Sequence, residues 1–328
     1  MRKLYYATFE KGWDEIVKSI IRKQDKNSQI KKLYQDAVLF FAEDHFKFEN
    51  SAFKSFYLVV DNIQKDGVGA INAEMKHLLE KQGLKIVFPK GVTNFKLTYL
   101  KENENILIDA NLKKAVEITL KKVTKKSISY LSTEAELVFL AKADGNVLFM
   151  KKLIISDEFT KIQNRYEMSP QEAYMLSFLS EPNQSEVVLD PFAGKGMIAY
   201  ARTLCFKKAN VIANDENQEN VQEIKKKAKT IKDKSLSVLN YDFLSDKFPI
   251  KFIDKIVSNL TDLVYDKTFR ANEFFTDFFE KVYNSKVKIV VLAVAKSHEL
   301  SRFIDSKYEV EKQVFAAKYN VYKLKIRG

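Results

Sequence analysis

Cysteine occurs once in the 328 residues, at Cys205, which removes intrachain disulfides and thiolate-rich zinc sites together. Three histidines, His45, His77 and His298, lie far apart and lack helical ligand spacing, so no metal site is expected and a metal-hydrolase reading has little to stand on. Nine glycines and five prolines are too few for a collagen-like or linker-rich chain. Long apolar runs are missing too. The longest aliphatic run, Ile289 to Ala295, falls far short of the roughly 20 residues that cross a bilayer. Glu10 and Asp14 appear before any secretory core could form, so the expectation is a cytoplasmic protein with no membrane partner.

What is present is ordinary core material, 46% hydrophobic, and abundant charge at 30%. The length suits two domains with room for a third small module. Lysine and arginine number 55 against 43 acids, a net charge of +12, which favours a polyanionic partner. Both halves carry the same excess, but residues 81–126 hold 11 lysines and only 4 acids. Lys121, Lys122, Lys125 and Lys126 are the densest cluster there, suited to phosphate neutralisation with counterion release; the plainer alternative is a solvated lysine face. Lys225, Lys226, Lys227 and Lys229 read as a solvent face on a helix.

Periodicity divides the chain by style. In the first half, strands are expected at Leu4–Phe9, Ala37–Phe41, Phe56–Val60, Leu84–Phe88, Phe95–Tyr99, Ile128–Tyr130, Glu136–Ala141 and Val147–Leu153. Helices are expected at Asp14–Lys23, Ala73–Lys81 and Leu112–Lys122, and Asp144-Gly145 marks a hairpin. That is an α+β pattern. From about residue 185 the chain alternates strictly: strands Glu186–Leu189, Asn210–Ala213, Leu236–Leu239, Ile253–Val257 and Val287–Ala295, with helices Gly196–Phe206, Glu216–Lys229 and Lys267–Tyr283. Alternation of this kind predicts a parallel sheet wound on both faces, a Rossmann-like α/β domain. Tyr308–Ala316 and Lys318–Ile326 read as an antiparallel pair closing one edge.

The loop Asp190-Pro191-Phe192-Ala193-Gly194-Lys195-Gly196 follows the first strand of that alternating half and opens its first helix. Glycines at 194 and 196 let backbone approach a ligand at a helix N-terminus. Gly194-x-Gly196-x-x-Ala199, with Asp215 downstream, also fits a dinucleotide fingerprint. Asp190 tilts the choice: a carboxylate there sits poorly beside a pyrophosphate and well beside the cationic amino-acid end of S-adenosylmethionine. Asp215 and Asp242 end the next two strands, where carboxylates can accept ribose hydroxyls and the adenine amino group. Singly, each acid also fits a turn or helix cap; three at successive strand ends favour a ligand site.

Ser169-Pro170-x-x-Ala173-Tyr174-Met175-Leu176, followed by Val188-Leu189 and the loop above, resembles the catalytic domain of THUMP-containing RNA methyltransferases, which methylate N2 of guanosine in tRNA or rRNA. Their loop usually reads Asp-Pro-Phe-Cys-Gly-Ser-Gly-Thr; Asp190, Pro191, Phe192, Gly194 and Gly196 match, while Ala193, Lys195 and Met197 depart. Tyr5-Tyr6-Ala7-Thr8 before a helix is similar to the family's ferredoxin-like module. Ser132-Thr133-Glu134-Ala135-Glu136-Leu137 before a hairpin is similar to its THUMP domain. The resemblance implies residues 1–64 as a ferredoxin-like module, 65–160 as a THUMP-like RNA-binding domain and 161–328 as a class I, Rossmann-like methyltransferase domain. It implies S-adenosyl-L-methionine as cofactor, held by Asp190, Phe192, Ala193, Gly194, Gly196, Asp215 and Asp242, and RNA as partner.

Enzymes that methylate an exocyclic amine usually carry Asn or Asp, then Pro or Leu, Pro and an aromatic at the end of the fourth strand. The Asn oxygen accepts an amine hydrogen and the ring stacks on the base. Here the segment reads Ser258-Asn259-Leu260-Thr261-Asp262-Leu263. Asn259 is the catalytic candidate, Thr261 replaces the proline, and Asp262 replaces the ring, for which Tyr265 substitutes only if the loop bends differently. Two readings follow: an active RNA N-methyltransferase, or a non-catalytic RNA-binding protein that retains the fold.

Overall fold

A computed structural model describes residues 2–43, 50–67, 69–131, 134–153, 168–206, 209–231, 235–250, 252–265, 270–298, 300–304 and 306–327, the side chains at 50, 264 and 265 apart. It divides into two compact units. One comprises residues 1–8, 21–47 and 55–155; the other comprises 9–20, 48–54 and 156–328.

The first unit contains β1 (Arg2–Thr8), the last turn of α1 (Asp14–Gln24), β2 (Gln29–Leu33), β3 (Ala37–Glu43), β4 (Ser55–Gln64), α2 (Ala70–Glu80), β5 (Asn94–Lys101), β6 (Glu104–Asn105), α3 (Ala110–Thr124), β7 (Ser127–Ile128), β8 (Glu136–Ala141) and β9 (Asn146–Leu153). Its strands form one sheet in the order β2-β3-β1-β4-β9-β8-β5-β6, with β7 also on β5. The division drawn at 64/65 from sequence therefore falls at the end of β4, whose Gln64 pairs with Asn146 inside this continuous sheet.

Alternation in β8 explains its two packed faces. Leu137, Phe139 and Ala141 join Ile71, Met75 and Leu78 of α2 and Val116 and Leu120 of α3. Val138 and Leu140 join Tyr6, Leu39 and Met150 in another cluster. Asp109 caps α3 by accepting from the Leu112 N–H at 2.8 Å, and Lys125 ends it in the left-handed region at φ 55°. The Asp144-Gly145 hairpin forms as expected between β8 and β9, with Gly145 at φ 82°.

α2 also buries a carboxyl group. Glu74 is 0% exposed and, among the described residues, neither carboxyl oxygen has a hydrogen-bond partner. Burial first, then the charge of Asp61, pushes its pKa up to about 8, against a smaller opposing pull from Lys81. Below the ordinary carboxylate range Glu74 is neutral in folded and unfolded chains alike. As pH rises towards 8 only the unfolded chain ionises, so stability is lost across that window by an amount on the order of a few kcal/mol. Glu74→Gln should therefore raise the melting temperature progressively from pH 5 to pH 8 relative to the native chain. A melting difference that stays flat with pH would show that Glu74 ionises normally when folded.

The second unit contains α4 (Pro170–Leu179), β10 (Val187–Asp190), α5 (Met197–Cys205), β11 (Asn210–Asn214), α6 (Gln218–Ala228), β12 (Leu236–Leu239), β13 (Lys255–Asn259), a short 3-10 turn (Thr261–Tyr265), α7 (Ala271–Asn284), β14 (Ile289–Ala295), β15 (Tyr308–Phe315) and β16 (Tyr319–Ile326). The sheet order is β12-β11-β10-β13-β14-β16-β15; β10 to β14 are parallel, and β16 pairs antiparallel with both β14 and β15. This is the Rossmann-like α/β arrangement with the antiparallel edge pair expected from the sequence. Order reverses between β10 and β13, the place where such sheets bind ligands beyond their carboxyl ends.

Residues 9–20 complete this unit from far away in sequence. The Ala317 N–H donates to the Lys11 carbonyl at 3.2 Å, and Trp13, wholly buried, meets the Tyr319 ring edge-on at 6.5 Å between centroids. A Cβ on Gly12, already at φ 94°, would stand 2.5 Å from the Phe315 carbonyl oxygen.

Where the strands begin, the unit buries a charge network. Glu186 accepts from Arg202, from Lys255 at 2.7 Å and from the Asn183 N–H at 3.1 Å. Arg202 also donates to the Phe206 carbonyl at 2.6 Å, and Lys255 to the Glu181 carbonyl at 2.5 Å. Each of the three charged residues is at most 6% exposed. Among the described residues no helix is long and apolar enough to cross a membrane, and no group of three or more His, Cys, Asp or Glu side chains is placed to hold a metal ion.

Candidate functional site

A cavity of about 400 Å³ opens at the carboxyl ends of β10, β11 and β13. Asp190, Phe192, Ala193, Gly194, Asp215 and Asn259 all line it, so the fold gathers six of the predicted site residues from three separate strand ends. Met168, Lys195, Met197, Ile198, Glu216, Asn217, Asn220, Asp262 and Leu263 complete the wall.

The glycine loop is shaped by backbone demands. Gly194 lies at φ 51° and Gly196 at φ 88°. A Cβ at Gly196 would stand 3.1 Å from Ile224 Cγ1 and 3.3 Å from the Tyr200 ring, so both conformation and space require glycine. The Ala193 N–H donates to the Asn214 carbonyl at 2.9 Å, and the Gly196 N–H closes the turn on the Ala193 carbonyl at 2.7 Å. Gly196 caps α5 rather than lining the cavity.

Asp190 ends β10 with only 3% exposure. Its Oδ1 accepts from the Ser258 hydroxyl at 2.7 Å. Burial dominates its titration and the Asp215 charge adds to it, outweighing the hydrogen bonds from Ser258 and the Phe192 N–H; its pKa is pushed up to about 7. A cation arriving beside it would favour the ionised form.

Asp215 follows β11 and spends most of its acceptor capacity locally. Oδ2 accepts from the Gly194 N–H at 2.7 Å, while Oδ1 accepts from the Asn217 N–H at 3.0 Å and the Asn220 amide at 3.1 Å. About one lone-pair direction remains of the four a carboxylate offers. Holding both hydroxyls of a ribose would require one of these donors to let go.

Asp242 does not join the cavity lining. It is exposed, and its Oδ1 accepts from the Leu244 N–H at 2.9 Å, the local turn that competes with any ligand role for an Asp after a strand. Asn259 does line the cavity, but its oxygen is engaged. The Thr261 N–H reaches it at 3.2 Å and the Thr261 hydroxyl at 2.8 Å. Because a backbone N–H can only donate, this atom is Oδ1, the atom an exocyclic amine would need. Tyr265, the alternative stacking ring, has a side chain outside the described residues.

Two organising residues escape a reading by motif. Asn214, 0% exposed at the end of β11, donates to the Pro191 carbonyl at 3.0 Å and the Tyr241 carbonyl at 2.9 Å, and accepts from the Tyr241 N–H at 3.1 Å. One amide thus ties together the loops after β10, β11 and β12. Ser258, also fully buried, holds Asp190. The available signal was a polar residue at the last position of β11 or next to the last of β13, directly after the apolar middle of the strand. At the start of α4, Ser169 and Glu172 form a capping box, which accounts for the Ser-Pro-x-x motif as a helix start beside Met168.

The lysine cluster belongs to the first unit. Lys121 and Lys122 occupy the last turn of α3, Lys125 its cap and Lys126 the next position; all but Lys126 are exposed. Lysines here also complement the carboxyl end of the helix dipole, so their placement satisfies a structural role without a ligand. Ser132 and Thr133 lie outside the described residues.

No family model and no curated protein matches this sequence. Solved structures do. TrmN from Thermus thermophilus is similar over 100% of both chains, with a TM-score of 0.77 at 15% identity. The methyltransferase candidate SMU.472, complexed with SAH, covers 100% of this chain and 99% of its own, with a TM-score of 0.68 at 11% identity. A predicted N6-adenine-specific DNA methylase from Listeria monocytogenes str. 4b F2365 covers 98% and 96%, with a TM-score of 0.63 at 12% identity. At these identities the likeness is one of fold.

Proposed function

We propose that the chain is an S-adenosylmethionine-dependent RNA methyltransferase forming N2-methylguanosine in tRNA or rRNA. The observation that carries the cofactor reading is the charge of the cavity wall: four carboxylates, Asp190, Asp215, Glu216 and Asp262, against one lysine, Lys195. Such a wall suits a ligand with a sulfonium and an ammonium group and opposes a pyrophosphate. The donor set fits the group. Asp190 is a buried carboxylate that a cation would satisfy, Gly194 has open space where a Cβ would stand and so leaves room for close approach, and Asp215 retains acceptor capacity for a ribose hydroxyl. Adenosylmethionine supplies an electrophilic methyl group. The chain's part is to hold its charged end, exclude water and orient the accepting nitrogen through Asn259.

The RNA assignment rests on the +12 charge, the lysine cluster of α3 and the resemblance of the Asp190 to Gly196 loop to that of THUMP-containing RNA methyltransferases. The non-catalytic alternative has its own observation: the Asn259 oxygen is already satisfied by Thr261.

Calorimetry of the full chain tests the cofactor. S-adenosylmethionine or SAH should bind saturably and NAD should not; Asp215→Ala should weaken the former by about 1–3 kcal/mol. Saturable NAD binding without adenosylmethionine binding would overturn the reading. For RNA, replacing Lys121, Lys122, Lys125 and Lys126 by glutamate should weaken affinity and flatten the dependence of log K on log salt, by roughly 0.9 per phosphate contact removed from duplex. An unchanged slope would leave the cluster as a solvated helix end.

A further inference from the structure

Asp262 stands where a base would enter the proposed acceptor end of the cavity, beside Asn259 and Leu263. It is exposed, and among the described residues no lysine or arginine lies within ion-pair reach of it. The Thr261 hydroxyl is 3.5 Å from its Oδ1, but that single proton is directed at the nearer Asn259 oxygen at 2.8 Å. Both oxygens of Asp262 therefore keep acceptor capacity while the Asn259 oxygen does not. In a chain of net charge +12 whose proposed partner is polyanionic, an unpaired carboxylate at this spot repels phosphate and weakens binding unless donors meet it.

We infer that Asp262 selects guanine, its two oxygens accepting the parallel N1–H and N2–H donors of the base's Watson–Crick edge. Two adjacent donors on that edge occur in guanine alone among the RNA bases. Adenine and cytosine each present one donor beside an acceptor nitrogen, and uracil one donor between two carbonyls, so each sets a lone pair against the anion. An edge-on charged pair thereby takes over the work of the missing ring: it fixes the base in plane and brings the 2-amino group to the strand end that carries Asn259. The inference rests on the proposed function in taking the cavity as a base site, and it adds a source of guanine preference in this chain's own residues.

Guanosine and inosine differ by the 2-amino group alone, which makes them the probes. Their binding to the full-length protein, saturated with SAH, is measured by ligand-observed NMR for the native chain and for Asp262→Asn. The native chain should prefer guanosine about tenfold, since an unmatched acceptor is costly in a site built for two donors. With each variant saturated with SAH at its own affinity, Asp262→Asn should lose that preference, and Asp262→Glu should recover part of it. No preference in the native chain, or a preference that persists in Asp262→Asn, overturns the role of Asp262. Failure to bind SAH defeats the cofactor reading instead, and the guanosine–inosine comparison then proceeds without it and still decides the inference.

Discussion

Glu186→Gln is expected to lower the unfolding free energy of the second unit by about 3–5 kcal/mol, the cost of removing one partner from a buried charge network. The substitution is close to isosteric, so the loss is electrostatic. Arg202 and Lys255 both point at this carboxylate and are 1% and 5% exposed, so without it two cations face each other in a site closed to water. Trp13, the single tryptophan, is buried in the same unit, and its fluorescence in a urea titration reports the transition. Lys288→Gln is the control: its pair with Asp254 leaves Lys288 73% exposed, where solvent screening leaves such a pair little to contribute. Equal effects from the two substitutions would mean that the Glu186 network is not dry.

The second large effect belongs to Asn259. Asn259→Ala should leave cofactor binding intact and reduce methyl transfer to RNA by about 10²-fold or more, because misplacing an attacking atom by about 1 Å costs that much. The structure sharpens this expectation. The Asn259 oxygen must release at least one Thr261 donor before it can receive an amine, so Thr261→Val, which removes the shorter of the two bonds, should ease substrate engagement. The measurement is single-turnover transfer of a labelled methyl group to bulk RNA from a deletion strain, digested to nucleosides. Transfer undiminished in Asn259→Ala would remove this residue from the mechanism. Cofactor binding without any product would favour the non-catalytic reading.

Much of the second unit was legible because a parallel sheet buried on both faces writes itself as uninterrupted apolar runs between helices. β14, an unbroken apolar run from Ile289 to Ala295, and the strand–helix alternation follow that signal closely. The first unit was harder. β2, with the polar sequence Gln29-Ile30-Lys31-Lys32-Leu33, carries the lysines of an edge strand and no strong apolar alternation, so it escaped notice. Leu84–Phe88 has the opposite fault. It alternates, with Ile86 buried and Val87 61% exposed, yet forms no strand; Leu84, Ile86 and Phe88 pack on the cluster of α2 and α3 without pairing to a sheet. A side-chain pattern does not reveal whether a partner strand is free. At the site, the loop glycines and Asp190 were readable from their order along one segment. Asn214 and Ser258 were not, since their roles depend on which strand ends become neighbours. Asp242 carries a related ambiguity: a strand-end Asp serves equally well as a turn former, and its Oδ1 accepts from the Leu244 N–H.

Residues 9–20 have a bearing on how the chain is made. Trp13 packs on Tyr319 and Lys11 accepts from Ala317, so a segment synthesised near the start depends on strands that emerge about 300 residues later, after on the order of 15–60 s of translation. Until β15 and β16 leave the ribosome, the indole and its neighbours have no final resting place. The early segment is then a natural client for a chaperone, and a ribosome stalled before residue 308 would hold a nascent chain whose second unit cannot close.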